Sequence, residues 1–168
     1  MSKSSLETAA AMLRSKVGAV RRQSIGKVDP VWARRFALAT GETDLIYFDP
    51  ELAVSIGWRD SPLPPLMLSS TRTWDDGPTN EGLAEDGTPL NDVGFPTGSS
   101  LRSLGGGQSL NWIEDVLIGD EISTTSKVVG VSEKSANSGD ILMVEIERRF
   151  YGTNGQLLLT CNEKRLLR

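Results

Sequence analysis

The chain of 168 residues contains no histidine and a single cysteine. Without histidine, one chain cannot form a Ser-His-Asp triad, an Asp-His acid/base pair or a histidine-ligated zinc site. The lone Cys161 excludes an intramolecular disulfide and a multi-thiolate metal site, and it fits a reducing compartment. We therefore expect no bound metal, and any imidazole at an active site has to come from a second chain.

Long apolar runs and an excess of positive charge are also missing. No stretch approaches the roughly 20 apolar residues that a membrane span needs, and residues 1–6 lack the apolar core of a signal peptide. The net charge of -4 and the mean hydropathy of -0.22 provide no basic surface for nucleic acid or anionic membrane. We expect a cytoplasmic protein without nucleic-acid or membrane partners, folded as one domain over residues 1–168.

The first half of the chain predicts helices around one short strand. An apolar stripe at helical spacing over residues 6–17 predicts the first helix, and residues 20–27 are predicted as an edge strand. Asp29-Pro30 and Asp49-Pro50 each combine an N-cap acid with a proline at the first helical position, so each is expected to begin a helix. A further helix is expected to begin near Pro65, with one apolar face that reaches Trp74.

Residues 75–104 are predicted as a long irregular segment. The segment carries six acidic residues against Arg102 alone, a net charge of 1 − 6 = −5, and glycine and proline recur throughout it. A run of this length without regular structure is usually either functional or disordered. A lid over a cleft, an interface loop and simple disorder all remain open.

The last third of the chain predicts antiparallel β-structure. Apolar and polar residues alternate in four segments separated by turn signals such as Gly119-Asp120 and Asn154-Gly155. The expected strands cover residues 108–112, 122–133, 141–151 and 156–167. Helices followed by long hairpin strands predict an α+β fold in which a helix packs on one sheet.

Three segments resemble MaoC-like dehydratases and R-specific enoyl-CoA hydratases. Residues 36–49 read F-A-L-A-T-G-E-T-D-L-I-Y-F-D, and the family pattern is roughly F-A-x-A-x-G-D-x-N-P-x-H-x-D. Residues 63–67 are similar to the continuation of that segment into the central helix. Residues 105–122 resemble the G-G-x-x-x-F … P-V-x-x-G-D-x-L region of the MaoC-type N-terminal dehydratase domain, which is similar to the dehydratase of fungal fatty-acid synthase. The resemblance implies a hot-dog domain, an antiparallel sheet wrapped around a central helix.

The resemblance also implies which residues lie at the site. In the catalytic family an Asp and a His five residues apart act as acid and base on an enoyl-CoA, and Glu42 and Tyr47 occupy these two positions here. Glutamate can serve as a base, whereas a tyrosine with an ordinary pKa of about 10 is a poor partner for it near neutral pH. Leu66 replaces the glycine that the family places close to the thioester oxygen. Substrate contacts are expected at Asp44, Pro65, Leu66, Gly106 and Gly107.

Several of these residues also have structural interpretations. Asp44 is suited to cap the next turn, as Asp49 does before Pro50. The Gly105–Gly107 triplet fits either a phosphate-binding loop or close packing of a strand against the central helix. Trp112 and Cys161 lie on predicted strands and are expected in the core.

The two replaced catalytic positions favour a non-catalytic, acyl-CoA-binding subunit of a MaoC-like enoyl-CoA hydratase or 3-hydroxyacyl-CoA dehydratase. Hot-dog domains of this family pair edge to edge, so we expect a homodimer, or a heterodimer in which a MaoC-like chain supplies the Asp-His dyad. No cofactor is expected beyond the acyl-CoA thioester as substrate. The alternatives are a stand-alone hydratase, dehydratase or thioesterase that uses Glu42, and an acyl-CoA-binding scaffold without activity.

Overall fold

The computed structural model describes residues 3–71, 78–83, 87, 89, 101–136 and 139–168. The helices are α1 (Lys3–Ser15), α2 (Pro30–Thr40), α3 (Pro50–Ser55) and α4 (Met67–Ser70), with short 3₁₀ turns at Leu45–Tyr47 and Asn80–Gly82. The strands are β1 (Val20–Lys27), β2 (Ser103–Trp112), β3 (Glu121–Ala136), β4 (Gly139–Tyr151) and β5 (Leu157–Leu167).

These strands form one antiparallel sheet in the order β1-β3-β4-β5-β2. The two edges are β1, next to β3, and β2, next to β5. The predicted α+β class, the antiparallel sheet and the edge position of β1 are confirmed. The Asn154-Gly155 hairpin signal is confirmed as well, because it lies between β4 and β5, which pair with each other.

One face of the sheet carries the core. In β4 alternate residues from Leu142 to Phe150 are buried, which puts their side chains on one face, because successive side chains of a strand point to opposite sides. Two apolar clusters lie on this inner face. The central cluster includes Ala33, Met67, Leu68, Phe150 and Leu159, and the terminal cluster includes Leu6, Ala9, Leu13, Leu142 and Val144. Helix α1 therefore covers one part of the sheet, and α2 and α4 cover the other.

Side-chain caps determine where two of the helices begin. The Asp29 carboxylate accepts a hydrogen bond from Trp32 N at 2.9 Å, and the Asp49 carboxylate accepts one from Leu52 N at 3.0 Å. Each carboxylate satisfies a backbone donor that the first helical turn leaves unpaired. The predicted helix starts at Pro30 and Pro50 are thus confirmed. Among the residues that the structure describes, no helix is long and apolar enough to cross a membrane.

Three expectations from the sequence need correction or lie outside the described residues. Strand β2 begins at Ser103, not near Gln108, so the irregular segment does not extend to residue 104. Trp112 is 41% exposed instead of being part of the core, because β2 is an edge strand and no described strand lies beyond it. Trp74 and most of residues 75–100 lie outside the described residues.

Candidate functional site

Glu42 follows the end of helix α2 directly. Gly41 has a φ of 75°, the left-handed conformation that commonly ends a helix, and Glu42 N donates to Ala37 O at 3.0 Å. This backbone bond fixes the position of the Glu42 main chain relative to α2. Glu42 is half-buried and lies just before the turn at Leu45–Tyr47.

Asp44 and Tyr47 belong to a single 3₁₀ turn. The Asp44 carboxylate accepts a hydrogen bond from Ile46 N at 3.1 Å, so the interpretation of Asp44 as a cap is confirmed. Tyr47 ends the turn, and its N–H donates to Asp44 O at 3.3 Å. The segment is held against α2 by Arg34, whose guanidinium carbon lies 5.7 Å from the centroid of the Phe48 ring.

Negative charge surrounds the Tyr47 phenol. Burial raises the pKa of Tyr47 above its ordinary value of 10.0, and the carboxylates of Glu42, Asp44 and Asp115 raise this pKa further. At neutral pH the phenol therefore stays protonated and uncharged. It is able to donate or accept a hydrogen bond, but it does not act as the base that an imidazole provides in the family pattern.

Asp115 was missed by the sequence reasoning. It lies between β2 and β3, far from Tyr47 in the sequence, and it acts on the same phenol as Glu42 and Asp44. Its proximity to Tyr47 arises from the tertiary structure, so no local motif signals it. Within the described ranges, no three side chains of His, Cys, Asp or Glu are grouped so that they could hold a metal ion.

Leu66 has an unusual backbone conformation at the start of α4. Its φ of 66° lies in the left-handed region, where it is the only non-glycine residue among those described. Such a conformation costs a leucine about 1–2 kcal/mol, and glycine adopts it freely. The backbone at residue 66 thus retains a glycine-like turn although the residue is leucine. Pro65 precedes this turn and is exposed.

Gly106 and Gly107 lie in a β-bulge of β2, where the register with β5 shifts between Gly105 and Gln108. A Cβ atom on Gly106 would lie 3.1 Å from Lys164 O, so the close packing is against β5 and the expected packing against the central helix is wrong. Gly107 has a φ of 105° and open space beside it.

The two glycines line a groove of about 510 Å³ together with Glu145 and Lys164. Side chains of Glu145 and Lys164 alternate with the buried positions of β4 and β5, so this groove lies on the outer face of the sheet. Leu66 lies at the start of α4, which covers the inner face of the sheet. The predicted site residues therefore form separate groups: Glu42, Asp44 and Tyr47 at one turn, Pro65 and Leu66 at another, and the glycines at the β2 bulge.

The Gly119-Asp120 pair has a structural role. The Asp120 carboxylate accepts a hydrogen bond from Leu117 N at 2.9 Å and forms an ion pair with Arg59. Gly119 has a φ of 83°, which the tight turn before β3 requires. The resemblance at Gly119-Asp120 is therefore explained by the structure of this turn and not by catalytic chemistry.

The chain is similar to a known protein family and to solved structures. The sequence model described as FAS1-like, dehydratase domain region, matches residues 17–161. The chain belongs to this family. The predicted resemblance to MaoC-like dehydratases is confirmed by this match and by the structural neighbours of the FAS1-like dehydratase chain. No curated protein matches this chain in sequence.

Solved hot-dog structures are similar over almost the whole FAS1-like dehydratase chain. The ChsH1-ChsH2 complex from Mycobacterium tuberculosis has a TM-score of 0.69 at 15% identity, with 98% of this chain and 92% of that chain covered. The (R)-hydratase from A. caviae involved in PHA biosynthesis has a TM-score of 0.63 at 20% identity, with 89% and 94% covered. The C-terminally truncated HadBC (3R-hydroxyacyl-ACP dehydratase) complex from M. tuberculosis has a TM-score of 0.65 at 15% identity, with 91% and 97% covered. At these identities the similarity establishes the hot-dog fold.

Proposed function

We propose that this chain is the acyl-CoA-binding, non-catalytic subunit of a MaoC-like enoyl-CoA hydratase or 3-hydroxyacyl-CoA dehydratase. It shapes the acyl pocket for a partner chain that carries the catalytic Asp and His. The observation that carries the proposal is the protonated Tyr47 phenol at the histidine position, in a chain without any histidine. Hydration needs a proton donor and an acceptor within about 3 Å of the attacking water.

The second support is the difference between the two edges of the sheet. Strand β2 contains no charged residue, and its exposed side chains include Leu104 and Trp112. Strand β1 carries Arg21, Arg22 and Lys27. Charged side chains on an edge strand disfavour pairing with another chain, whereas an uncharged edge strand is free to form such a pair. We infer that β2 is the edge that joins a partner sheet.

The third support comes from the neighbours. Both the ChsH1-ChsH2 and the HadBC structures are complexes of two different chains. By analogy, this chain pairs with a MaoC-like chain that bears D-x-N-P-x-H, and self-association uses the same edge when that partner is absent. The single buried cysteine is compatible with a reducing compartment, and we propose a cytoplasmic location for the complex.

The competing proposal is a stand-alone enzyme that uses Glu42, which is half-buried next to Tyr47. The test is an assay of the purified chain with crotonyl-CoA and longer enoyl-CoAs, which follows loss of the enoyl absorbance and release of free CoA. We expect no turnover. The control is Glu51→Gln, which removes an exposed acid on α3. Robust turnover that disappears in Glu42→Gln but persists in this control would contradict the subunit proposal and support a stand-alone enzyme.

The third interpretation, a scaffold without an acyl-CoA site, is tested by calorimetric titration of the chain with butyryl-CoA, a saturated thioester that a hydratase does not turn over. The subunit proposal expects saturable binding. Absence of binding both to the chain alone and to its complex with a MaoC-like chain would overturn it.

A further inference from the structure

Three hydrogen bonds in sequence connect the sheet to the start of helix α4. The Cys161 thiol on β5 donates to Gln108 Oε1, with Sγ and Oε1 3.6 Å apart. Gln108 Nε2 on β2 donates to Ser69 Oγ at 3.4 Å. Ser69 Oγ donates to Leu66 O at 3.0 Å. The series ends at the one described non-glycine residue with a left-handed backbone.

The direction of each bond follows from the hydrogens available. The Ser69 hydroxyl has one hydrogen, which points to Leu66 O, so Ser69 is an acceptor for Gln108. Gln108 then presents its NH₂ group to Ser69 and its carbonyl oxygen to Cys161. Burial raises the pKa of the Cys161 thiol, so that thiol keeps the hydrogen that it donates. The Gln108 amide therefore has one favoured orientation.

The Leu66 peptide is fixed from two sides. Leu66 O also accepts a hydrogen bond from Ser70 N at 3.0 Å, within the helix. With Ser69 and Ser70 both donating to this oxygen, the peptide plane after Leu66 has little freedom to rotate. Gln108 links the edge strand β2 to α4 by a side-chain hydrogen bond.

We propose that Gln108 is a positioning residue that acts through Ser69 to hold the Leu66 turn in the geometry that meets the thioester carbonyl of a bound acyl-CoA. This inference rests on the proposed function, because it assumes that an acyl-CoA binds beside α4. Gln108 does not itself touch the reacting atoms. Its role is to prevent the strained turn from relaxing to an ordinary leucine conformation.

The experiment compares two ligands that differ only at the carbonyl. Butyryl-CoA has the thioester oxygen, and S-butyl-CoA is the thioether that replaces the carbonyl with a methylene. Calorimetric titration of the full chain gives both affinities. We expect the native chain to prefer butyryl-CoA by about tenfold, as one hydrogen bond to the carbonyl predicts. Gln108→Met should reduce this preference to about twofold, with S-butyl-CoA affinity unchanged within about twofold.

Two further variants separate positioning from simple stability. Ser69→Ala breaks the same series from the helix side, so it should reproduce the effect of Gln108→Met, and the double variant should lose no more than either single one. Ser69→Ala also keeps the test available if Gln108→Met does not fold. Gln23→Met removes an amide side chain from the opposite edge strand and should keep the tenfold preference.

Each outcome separates this inference from the proposed function. If the native chain binds neither ligand, both are overturned. If it binds both ligands equally, the acyl-CoA site stands and the positioning role is overturned. The role is also overturned if Gln108→Met and Ser69→Ala keep the native preference, or if they weaken both ligands to the same extent, as a purely structural contact would.

Discussion

Arg148 on β4 and Glu163 on β5 form an ion pair of 3.0 Å between Nη2 and Oε2, with side chains only 9% and 10% exposed. Arg165 also pairs with this carboxylate. The pair lies on the inner face, between Ile146 of the terminal cluster and Phe150 of the central cluster. A buried polar link thus separates the part of the sheet under α1 from the part under α2 and α4.

Removal of the Glu163 charge should destabilise the fold strongly. Glu163→Gln leaves the buried Arg148 guanidinium without its carboxylate, and breaking a buried pair in this way costs about 3–5 kcal/mol. The measurement is the free energy of unfolding in urea. The matched control is Glu147→Gln, which breaks the more exposed Arg149–Glu147 pair, with side chains 48% and 26% exposed, and should cost less than about 1 kcal/mol. Equal losses in the two variants would show that the inner pair is not effectively buried.

At position 66 a glycine variant should be more stable than an alanine variant, because the backbone there is left-handed. Leu66→Gly relieves the left-handed strain but also removes a side chain that is 48% exposed. Leu66→Ala removes most of the same side chain and retains the strain. We expect the Gly variant to be more stable than the Ala variant by about 1 kcal/mol in urea unfolding. If Ala is as stable as Gly, the backbone at residue 66 is not held in the left-handed region.

The raised pKa of Tyr47 makes stability depend on pH in the alkaline range. The unfolded phenol titrates near 10.0 and the folded phenol above it, so the folded state retains a proton that the unfolded state loses. The contribution of Tyr47 is therefore complete below pH 10 and is lost as pH rises through the folded pKa. Tyr47→Phe should flatten this part of the decline in unfolding free energy above pH 10. An unchanged decline above pH 10 in Tyr47→Phe would contradict the raised pKa of Tyr47.

The uncharged edge of the sheet predicts where the chain associates. Asn111→Lys places a charge on β2, and Ser24→Lys places the same charge on β1. We expect the chain to form a dimer that buries at least roughly 1,000 Å². Sedimentation analysis should show that Asn111→Lys shifts this dimer to monomer and that Ser24→Lys does not. A dimer that survives Asn111→Lys but is lost in Ser24→Lys would place the interface on β1 instead.

Much of this fold could be predicted because its signals are local. Alternation of apolar residues in β4, the Asn154-Gly155 turn and the capping acids Asp29 and Asp49 each act within a few residues. The exposure of Trp112 could not be predicted, because it depends on the position of β2 at the edge of the described sheet. The start of β2 was missed because the predicted alternation of side chains begins only at Gln108, whereas the strand also contains the three preceding glycines and accommodates them in a bulge.

The candidate site was less predictable than the fold. Glu42, Asp44 and Tyr47 lie in one short segment, so the family pattern located them together. The effect of Asp115 on Tyr47 and the link from Gln108 to Ser69 both join distant parts of the sequence. Arg148 is a further example. The alternation in β4 assigns it to the buried face, but a charged residue is not expected there without a buried partner. That partner, Glu163, lies on a different strand.

The most direct test of the central claim is to mix this chain with a MaoC-like chain that carries D-x-N-P-x-H. Hydration of crotonyl-CoA and of longer enoyl-CoAs is measured for each purified chain and for the mixture, together with the elution volume of each sample. We predict no activity for this chain alone, co-elution of the two chains in one mixed complex, and full hydratase activity only in the mixture. A His-bearing chain that is fully active alone, with neither its rate nor its elution volume changed on mixing, would contradict the account.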